Sequence, residues 1–464
     1  MTLENIIAKF DEITDFLVYY ILPALLVLAV IMLVWVLIVD HRRKKAKQVK
    51  KKCKRKAHGV IFGKKLGKYY FSPTDAEGHI VVFGGSGLGK TQAVLCPTLQ
   101  SWTNGGTSFV IDISGDISEK IDVPNKLVYE PERSDTTPYN VFGAIDAIQD
   151  KDDKNEALTS LAHLLMPDDE KMSDAGKYYN TEGRKILIAS FIAFYHAGMD
   201  FIEICEKVVY NGWKELFNAI DATNNEDAIK FINSFAGTSE TNTANSKQEV
   251  DSVLTLFATN KKVKNSIRRP RSYELAFTPD KLETHNVYVV IDDAIRDVYA
   301  PLLNLITAQS LHFLSGRENY KKPTILFCLD EFASLGKMDI LNSLRKARKK
   351  GVRIMVLTQS LADLDLVYSQ EERKAMMNNF KFKLVLGADD TDTQEYFAKL
   401  IGYKDTTKHS TSSNANQTTH TETEAKEWCV EPAELARLNN QLVLLHPDGY
   451  MLLKKNFIKR KKSK

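Results

Sequence analysis

His79-Ile80-Val81-Val82-Phe83-Gly84-Gly85-Ser86-Gly87-Leu88-Gly89-Lys90-Thr91 decides how the rest of the chain is read. The first five residues read as a short buried strand, and the next eight fill G-x-x-x-x-G-K-[ST]. Each residue type has a physical reason. The glycines let backbone N–H groups turn inward around α- and β-phosphates, Lys90 reaches the β/γ-phosphates, and the Thr91 hydroxyl ligates Mg²⁺. Gln92-Ala93-Val94-Leu95 then opens a helix whose positive end faces the phosphates. Residues Gly84, Gly85, Ser86, Gly87, Leu88, Gly89, Lys90 and Thr91 are thus expected to hold a nucleoside triphosphate, ATP, with Mg²⁺. The competing reading is a structural glycine turn.

A loop of this kind needs an acid-ended apolar strand as partner, and Thr324-Ile325-Leu326-Phe327-Cys328-Leu329-Asp330-Glu331 supplies one. Asp330 is placed to hold the Mg²⁺ shell together with Thr91, and Glu331 to polarise an attacking water. The paired acids matter because a protein that only binds needs the metal carboxylate alone. A further strand, 353–358, ends in Gln359, where a polar side chain can sense a γ-phosphate or orient water. Between them, 341–350 reads as a helix stopped by Gly351. Its arginines are either a solvated face or a source of an arginine finger for a neighbouring subunit, with Arg348 favoured.

Lys90 and Asp330 lie far apart in the chain, more than a strand–helix alternation requires. The alternation continues at 108–112 and resumes at 286–292, followed by a helix at 298–314. From about 150 to 275 the apolar period is helical instead, at 156–165, 184–196, 213–220 and 250–257. This predicts an all-helical domain inserted into an α/β nucleotide-binding domain. Tyr178, Tyr179 and Arg184 there are read as packing residues before substrate contacts. Residues 406–424 are polar and read as a mobile loop, 431–436 as the start of a helix, and 441–445 as the last strand.

The 464 residues are 44% hydrophobic and 26% charged, which excludes a disordered or low-complexity protein. The near-neutral charge of +4 conceals segregation. Eleven basic residues and no acid lie between Arg42 and Lys56, and seven more between Lys454 and Lys464; the remainder is acidic, 45 bases against 59 acids. Five scattered cysteines without a C-x-x-C pair argue for reduced thiols rather than disulfides or a zinc site. Residues 16–39 carry no charge and, as a helix of about 36 Å, span a bilayer core. A cleaved signal peptide is opposed by the acidic residues before the run and by its length. The basic cluster after it places residues 1–15 outside and everything after Asp40 inside, a single-pass anchor in the cell membrane. The basic neck is read first as topology and lipid attraction, then as nucleic-acid contact.

Taken together, these features resemble the coupling ATPases of type IV secretion and conjugation, the TraG/TraD type, over most of residues 60–450. Leu329-Asp330-Glu331-Phe332-Ala333-Ser334-Leu335-Gly336-Lys337 is similar to the family's D-E-F-a-x-L-G-k signature. Residues 348–353 with Thr358-Gln359-Ser360 are similar to its R-x-x-G-[IV]-R…[LT]-Q-S stretch, and Thr137-Pro138-Tyr139-Asn140 resembles the segment after its second strand. The resemblance implies a RecA-like P-loop NTPase domain with an inserted all-α domain and an N-terminal transmembrane helix. It implies a homo-hexameric ring that hydrolyses ATP to move single-stranded DNA, or a DNA–relaxase complex, to the channel components of the secretion system. By matching position, Lys90, Glu331, Gln359 and Arg348 are the catalytic residues, and Thr91 and Asp330 the metal ligands. Two alternatives stand beside it: a docking receptor with little ATP turnover, and a double-strand DNA pump. The chain departs from the family in having one expected span where many relatives have two, Asp112-Ile113-Ser114-Gly115-Asp116 in place of D-P-K-G-E, and no long acidic tail. The expected organisation is an outer N-terminus at 1–15, the span at 16–39, a basic neck at 40–60, nucleotide-binding segments at 61–150 and 276–450 around the helical domain at 151–275, and a basic tail at 451–464.

Overall fold

The computed structural model describes residues 58–457 except 76, 103–104, 169–171 and 415–416, together with Met32, Val34 and Trp35; side chains at 408–423 are also left undescribed. The chain divides into two units, Met1–Ala57 and His58–Lys464. Apart from those three residues, which are helical, the expected membrane span lies outside the described residues, as do 40–57 of the neck and 458–464 of the tail. Among the described residues no helix is long and apolar enough to cross a membrane.

The second unit is built on an eleven-stranded sheet. In chain order its strands are β1 (Val60–Lys65), β2 (Lys68–Ser72), β3 (His79–Phe83), β4 (Gly106–Asp112), β5 (Lys126–Tyr129), β6 (Asn286–Val290), β7 (Thr324–Leu329), β8 (Val352–Thr358) and β9 (Phe380–Val385). A separate hairpin, β10 (Tyr403–Asn414) with β11 (Gln417–Trp428), precedes β12 (Gln441–His446) and β13 (Gly449–Lys454). Across the sheet the order is β2-β1-β13-β12-β9-β3-β8-β7-β4-β6-β5. From β9 to β5 all neighbours are parallel; from β2 to β9 they are antiparallel.

The central parallel strands are mostly apolar because both faces are covered. Every residue of β3, β7 and β8 is buried. The two-residue pleat sorts them: Val81, Phe83, Phe109, Phe327 and Val356 face one core, while Ile80, Val82, Val110, Cys328 and Leu357 face the other. Phe109 and Phe327 stack across β4 and β7 with centroids 4.3 Å apart. Such a pair adds about 1 kcal/mol beyond the burial of its two rings.

The helical insertion leaves and re-enters the sheet domain at one stitched point. Tyr139 N–H donates to the Ser266 carbonyl (2.7 Å), Asn140 N–H to Phe277 (3.0 Å) and Phe277 N–H to Pro138 (2.8 Å). Its helices are Lys151–Leu165, Asp174–His196, Phe201–Val209, Trp213–Asp221, Glu226–Asn233, Glu240–Thr259 and Lys261–Ile267. Their starts are written in the sequence: Asp150, Ser173, Asp200, Asn225, Ser239 and Asn260 each accept from the first-turn N–H groups. Helices 174–196 and 240–259 cross closely at Gly183, where a Cβ would sit 2.6 Å from the Ser246 carbonyl. Arg184 is buried against His163 (2.9 Å) and Asp168 (2.5 Å), a packing role.

Three expectations are corrected. Residues 406–414 and 417–424 are not loop but lie in strands β10 and β11, paired from Tyr403↔Trp428 to Asn414↔Gln417. Low apolarity prevents this stretch from forming a core, yet it contains neither Gly nor Pro and is rich in β-branched Thr, which favours extended pairing. The segment starting at Glu431 is a short 3-10 turn, Pro432–Arg437, rather than a full helix. Finally, β12 is not the last strand. A turn at Pro447–Gly449, with Gly449 at φ +126°, returns the chain as β13, so residues 451–454 of the expected tail belong to the sheet.

Candidate functional site: a phosphate loop facing paired acids

Parallel pairing brings the C-terminal ends of β3, β8 and β7 to one edge. Phe83 pairs with Thr358, and Leu329 with Val356. The residues that follow each strand therefore meet: Gly84–Thr91 after β3, Gln359 after β8, Asp330 and Glu331 after β7. This is the edge at which open α/β sheets bind ligands. The Gly84 N–H donates to the Thr358 carbonyl (3.2 Å), tying the loop to β8. Gly87 (φ +76°) and Gly89 (φ +91°) occupy the left-handed region that lets the loop curl, and Lys90 begins a wide helical turn, Lys90–Leu95, that runs into Cys96–Trp102.

Thr91 Oγ1 donates to Asp330 Oδ2 at 3.1 Å, across 239 residues of sequence. Lys90 Nζ lies 3.3 Å from Glu331 Oε1 and donates to the Gly84 carbonyl at 2.8 Å. Gln359 Nε2 donates to Glu331 Oε2 at 3.2 Å. The Glu331 carboxylate is thus held between Lys90 and Gln359. Asp330 is buried, and its carboxyl is pushed up to about 6, first by burial and then by the Glu331 charge; the Thr91 hydrogen bond and Lys90 pull it back. A buried carboxylate with this tendency is one that a cation would stabilise. Glu331 has φ +48° and ψ +47°, a left-handed backbone that a β-carbon disfavours by roughly 1–2 kcal/mol. Strain of this kind concentrates at functional positions.

The residues fit magnesium and a triphosphate. Thr91 and Asp330 present only oxygen donors, the preference of Mg²⁺. The loop offers backbone N–H groups at a helix start, and beyond its chain neighbours no atom lies within 4 Å of where a Cβ at Gly87 would be. The acid at Asp112, where the related motif begins, is instead an internal cap. It is buried and accepts from Ser118 N–H at 2.7 Å.

Arg348 is not brought to this edge. It sits in the 3-10 turn Ala347–Lys350 and donates through Nε to Glu77 Oε2 at 2.7 Å, near the start of β3, the opposite end of the strand from the loop. Arg353, from the same sequence stretch, is a buried tie: it donates to the carbonyls of Gly78 (2.9 Å) and Pro73 (3.0 Å).

Sequence reasoning missed two neighbours of the loop. Asp389, just beyond β9, brings its exposed carboxylate against the loop, with Oδ2 2.4 Å from where a Cβ at Gly85 would be. Lys455, read as part of a basic tail, is buried and donates to the Leu88 carbonyl at 3.0 Å. Neither belongs to a local motif, so no signal in the sequence marks them.

Known proteins place this arrangement. The family described as "Type IV secretory system Conjugative DNA transfer" matches residues 37–456. The conjugal transfer protein TraG of Rhizobium radiobacter is 21% identical over 416 residues, 83% of this chain and 62% of that protein. Protein VirD4 of Agrobacterium fabrum is 25% identical over 369 residues, 74% of this chain and 53% of that protein. The chain thus spans between half and two thirds of the length of these relatives. Among solved structures, the unbound conjugative coupling protein TrwBdeltaN70 superposes with a TM-score of 0.69 at 20% identity, covering 89% of this chain and 93% of that one. TrwB solved with ADP and Mg²⁺ gives 0.67, at 20% identity and the same coverage. With a match spanning nearly the whole second unit and a loop–acid edge of this geometry, the chain belongs to the conjugative DNA transfer family of type IV coupling proteins.

Proposed function

We propose that this coupling protein is an ATPase that moves single-stranded DNA, or a DNA–relaxase complex, to the channel of a type IV secretion system. The observation that carries this reading is the meeting of Lys90 and Thr91 with Asp330, Glu331 and Gln359 at one sheet edge. A protein that only binds nucleotide has no need of the second acid. TrwB, a structural neighbour, has been solved with ADP and Mg²⁺, which supports the same ligand here.

In this reading Thr91 and Asp330 hold Mg²⁺, and the N–H groups of the loop together with Lys90 hold the phosphates. Bound magnesium would offset the charge that builds on the phosphoryl oxygens. Glu331, between a cation and an amide donor, is placed to take a proton from water, with Gln359 fixing the water's orientation. Arg348, at the far end of β3 and exposed, is proposed as a finger for the next subunit of a homo-hexameric ring, since head-to-tail packing sets unlike faces against each other. The chain is proposed to be anchored by residues 16–39, with its large C-terminal unit on the cytoplasmic side.

ATP turnover of the full chain with and without single-stranded DNA tests this. Stimulation by DNA is expected, lost in Lys90→Ala and Glu331→Gln, along with transfer of a marked plasmid by strains carrying these variants. Turnover indifferent to DNA in an assembled ring would overturn the motor reading. Persistence of transfer in Glu331→Gln would favour a docking receptor.

A further inference from the structure

The strand β13 runs antiparallel to β12, and β12 antiparallel to β9, which is parallel to β3. β13 therefore ends at the same sheet edge as β3, and the three residues after it arrive beside the phosphate loop. Lys455 and Asn456 are each only 7% exposed. Lys455 spends its ammonium on one loop carbonyl, that of Leu88 at 3.0 Å. Phe457 lies against Gly89: a Cβ on that glycine would meet the ring's Cε1 at 2.7 Å and Cζ at 3.2 Å. Yet Phe457 remains 50% exposed.

Desolvating a lysine to anchor a segment, and then leaving the aromatic ring it positions half open to water, serves packing poorly. The same arrangement suits a flat ligand that would cover the ring. Position decides which ligand. The groups suited to the γ-phosphate and metal, Asp330, Glu331 and Gln359, follow β7 and β8, on one side of β3. Lys455 and Phe457 follow β13, on the other side, beyond β9 and β12. A nucleotide laid across the loop with its terminal phosphate toward the acids has its base directed toward Phe457.

We propose that Lys455–Phe457 forms the base-side wall of the nucleotide site, with Phe457 stacking on the nucleobase and Lys455 positioning it through the Leu88 carbonyl. The inference rests on the nucleotide-binding reading above and adds the recognition of the base. The stack reads a ring face rather than hydrogen bonds, so it takes purine nucleotides as a class, whose larger rings cover more of the phenyl group.

The test is calorimetric binding of Mg²⁺-ATP and of Mg²⁺-tripolyphosphate, which lacks a base, to the full chain in detergent. Phe457→Ala is expected to weaken ATP roughly tenfold or more, the range for losing one aromatic stack on a base, and to leave tripolyphosphate unchanged. Unchanged tripolyphosphate binding also reports that the loop is intact. Phe457→Trp is expected to retain ATP affinity and to gain an emission that ATP quenches and tripolyphosphate does not. Lys455→Met should follow Phe457→Ala, weakening ATP alone. The inference is overturned if Phe457→Ala binds ATP as the parent does, or if it weakens both ligands equally. Should the parent bind neither ligand, the nucleotide-binding reading itself fails, and the base wall with it.

Discussion

Acidification should loosen this protein through one histidine at the start of β3, the far end of the strand from the phosphate loop. His79 opens β3 and is buried. Its Nε2 donates to the Leu344 carbonyl at 2.9 Å, while its Nδ1 accepts from Ile354 N–H at 3.0 Å. These two partners require the neutral ring with its proton on Nε2. A second proton would point from Nδ1 straight at an N–H donor. Burial lowers the His79 pKa from 6.5 to about 4; the bond to Leu344 opposes this, and the Arg353 and Arg348 charges add to it. The folded-state value lies below the unfolded one, so the unfolded chain binds the extra proton first. The contribution of neutral His79 is fully present above about pH 6.5 and is lost as pH falls toward about 4. A shift of this size corresponds to about 3 kcal/mol.

The assay compares the parent with His79→Gln in guanidinium unfolding at steps from pH 7.5 to pH 4, subtracting one curve from the other so that other titrating groups cancel. The variant keeps a donor but strands the Ile354 N–H, so at neutral pH it should be about 1–3 kcal/mol less stable. That gap should close, and then reverse, as the parent alone pays for protonation below pH 6. Exchange protection of the Ile354 amide, corrected for its intrinsic pH dependence, should fall in the parent over the same window. A difference that stays constant with pH would refute the reasoning, because it would mean that His79 charges as easily folded as unfolded.

Other outcomes follow from single contacts. Glu331→Gln keeps the shape of the Lys90–Glu331–Gln359 cluster but removes the proposed base, so ATP turnover should fall by about 10²–10⁴ while calorimetric ATP affinity holds. Gly89→Ala places a methyl 2.7 Å from Phe457 at φ +91°; a loss of roughly 1–2 kcal/mol in unfolding free energy and weaker ATP binding are expected. Arg317 is buried, paired in a two-pronged contact with Glu283 (2.8 and 2.9 Å), and donates to the carbonyls of Lys350 and Pro323. Arg317→Met should destabilise the protein by about 3 kcal/mol, measured by denaturant midpoint, since it strands two carbonyls and leaves Glu283 only its longer contact with Lys321 at 3.5 Å.

Much of the site was legible because its parts are local. A strand with four apolar residues in succession, a glycine turn and a Lys-Thr pair announce themselves within thirteen positions, and the acid-ended strand at 324–331 does so within eight. The helical insertion was legible from its apolar period. The β10–β11 hairpin was not, because polarity reports what a segment cannot bury rather than how its backbone pairs. Arg348 was visible as a cation, but its partner Glu77 lies 271 residues earlier and no local pattern joins them.

From the order of its residues alone this chain is committed to a glycine turn of the phosphate-loop pattern, to an acid pair on a buried strand, and to a helical insertion between them. Such features follow from side-chain period and backbone freedom over a few neighbouring positions. Only the folded sheet decided which strand ends share an edge. Parallel pairing of β3, β8 and β7 set Thr91 against Asp330, and two antiparallel reversals brought Lys455 and Phe457 back to the same loop. Strand order and direction are properties of the whole core, settled by which faces cover one another, and a local stretch of sequence carries no record of them.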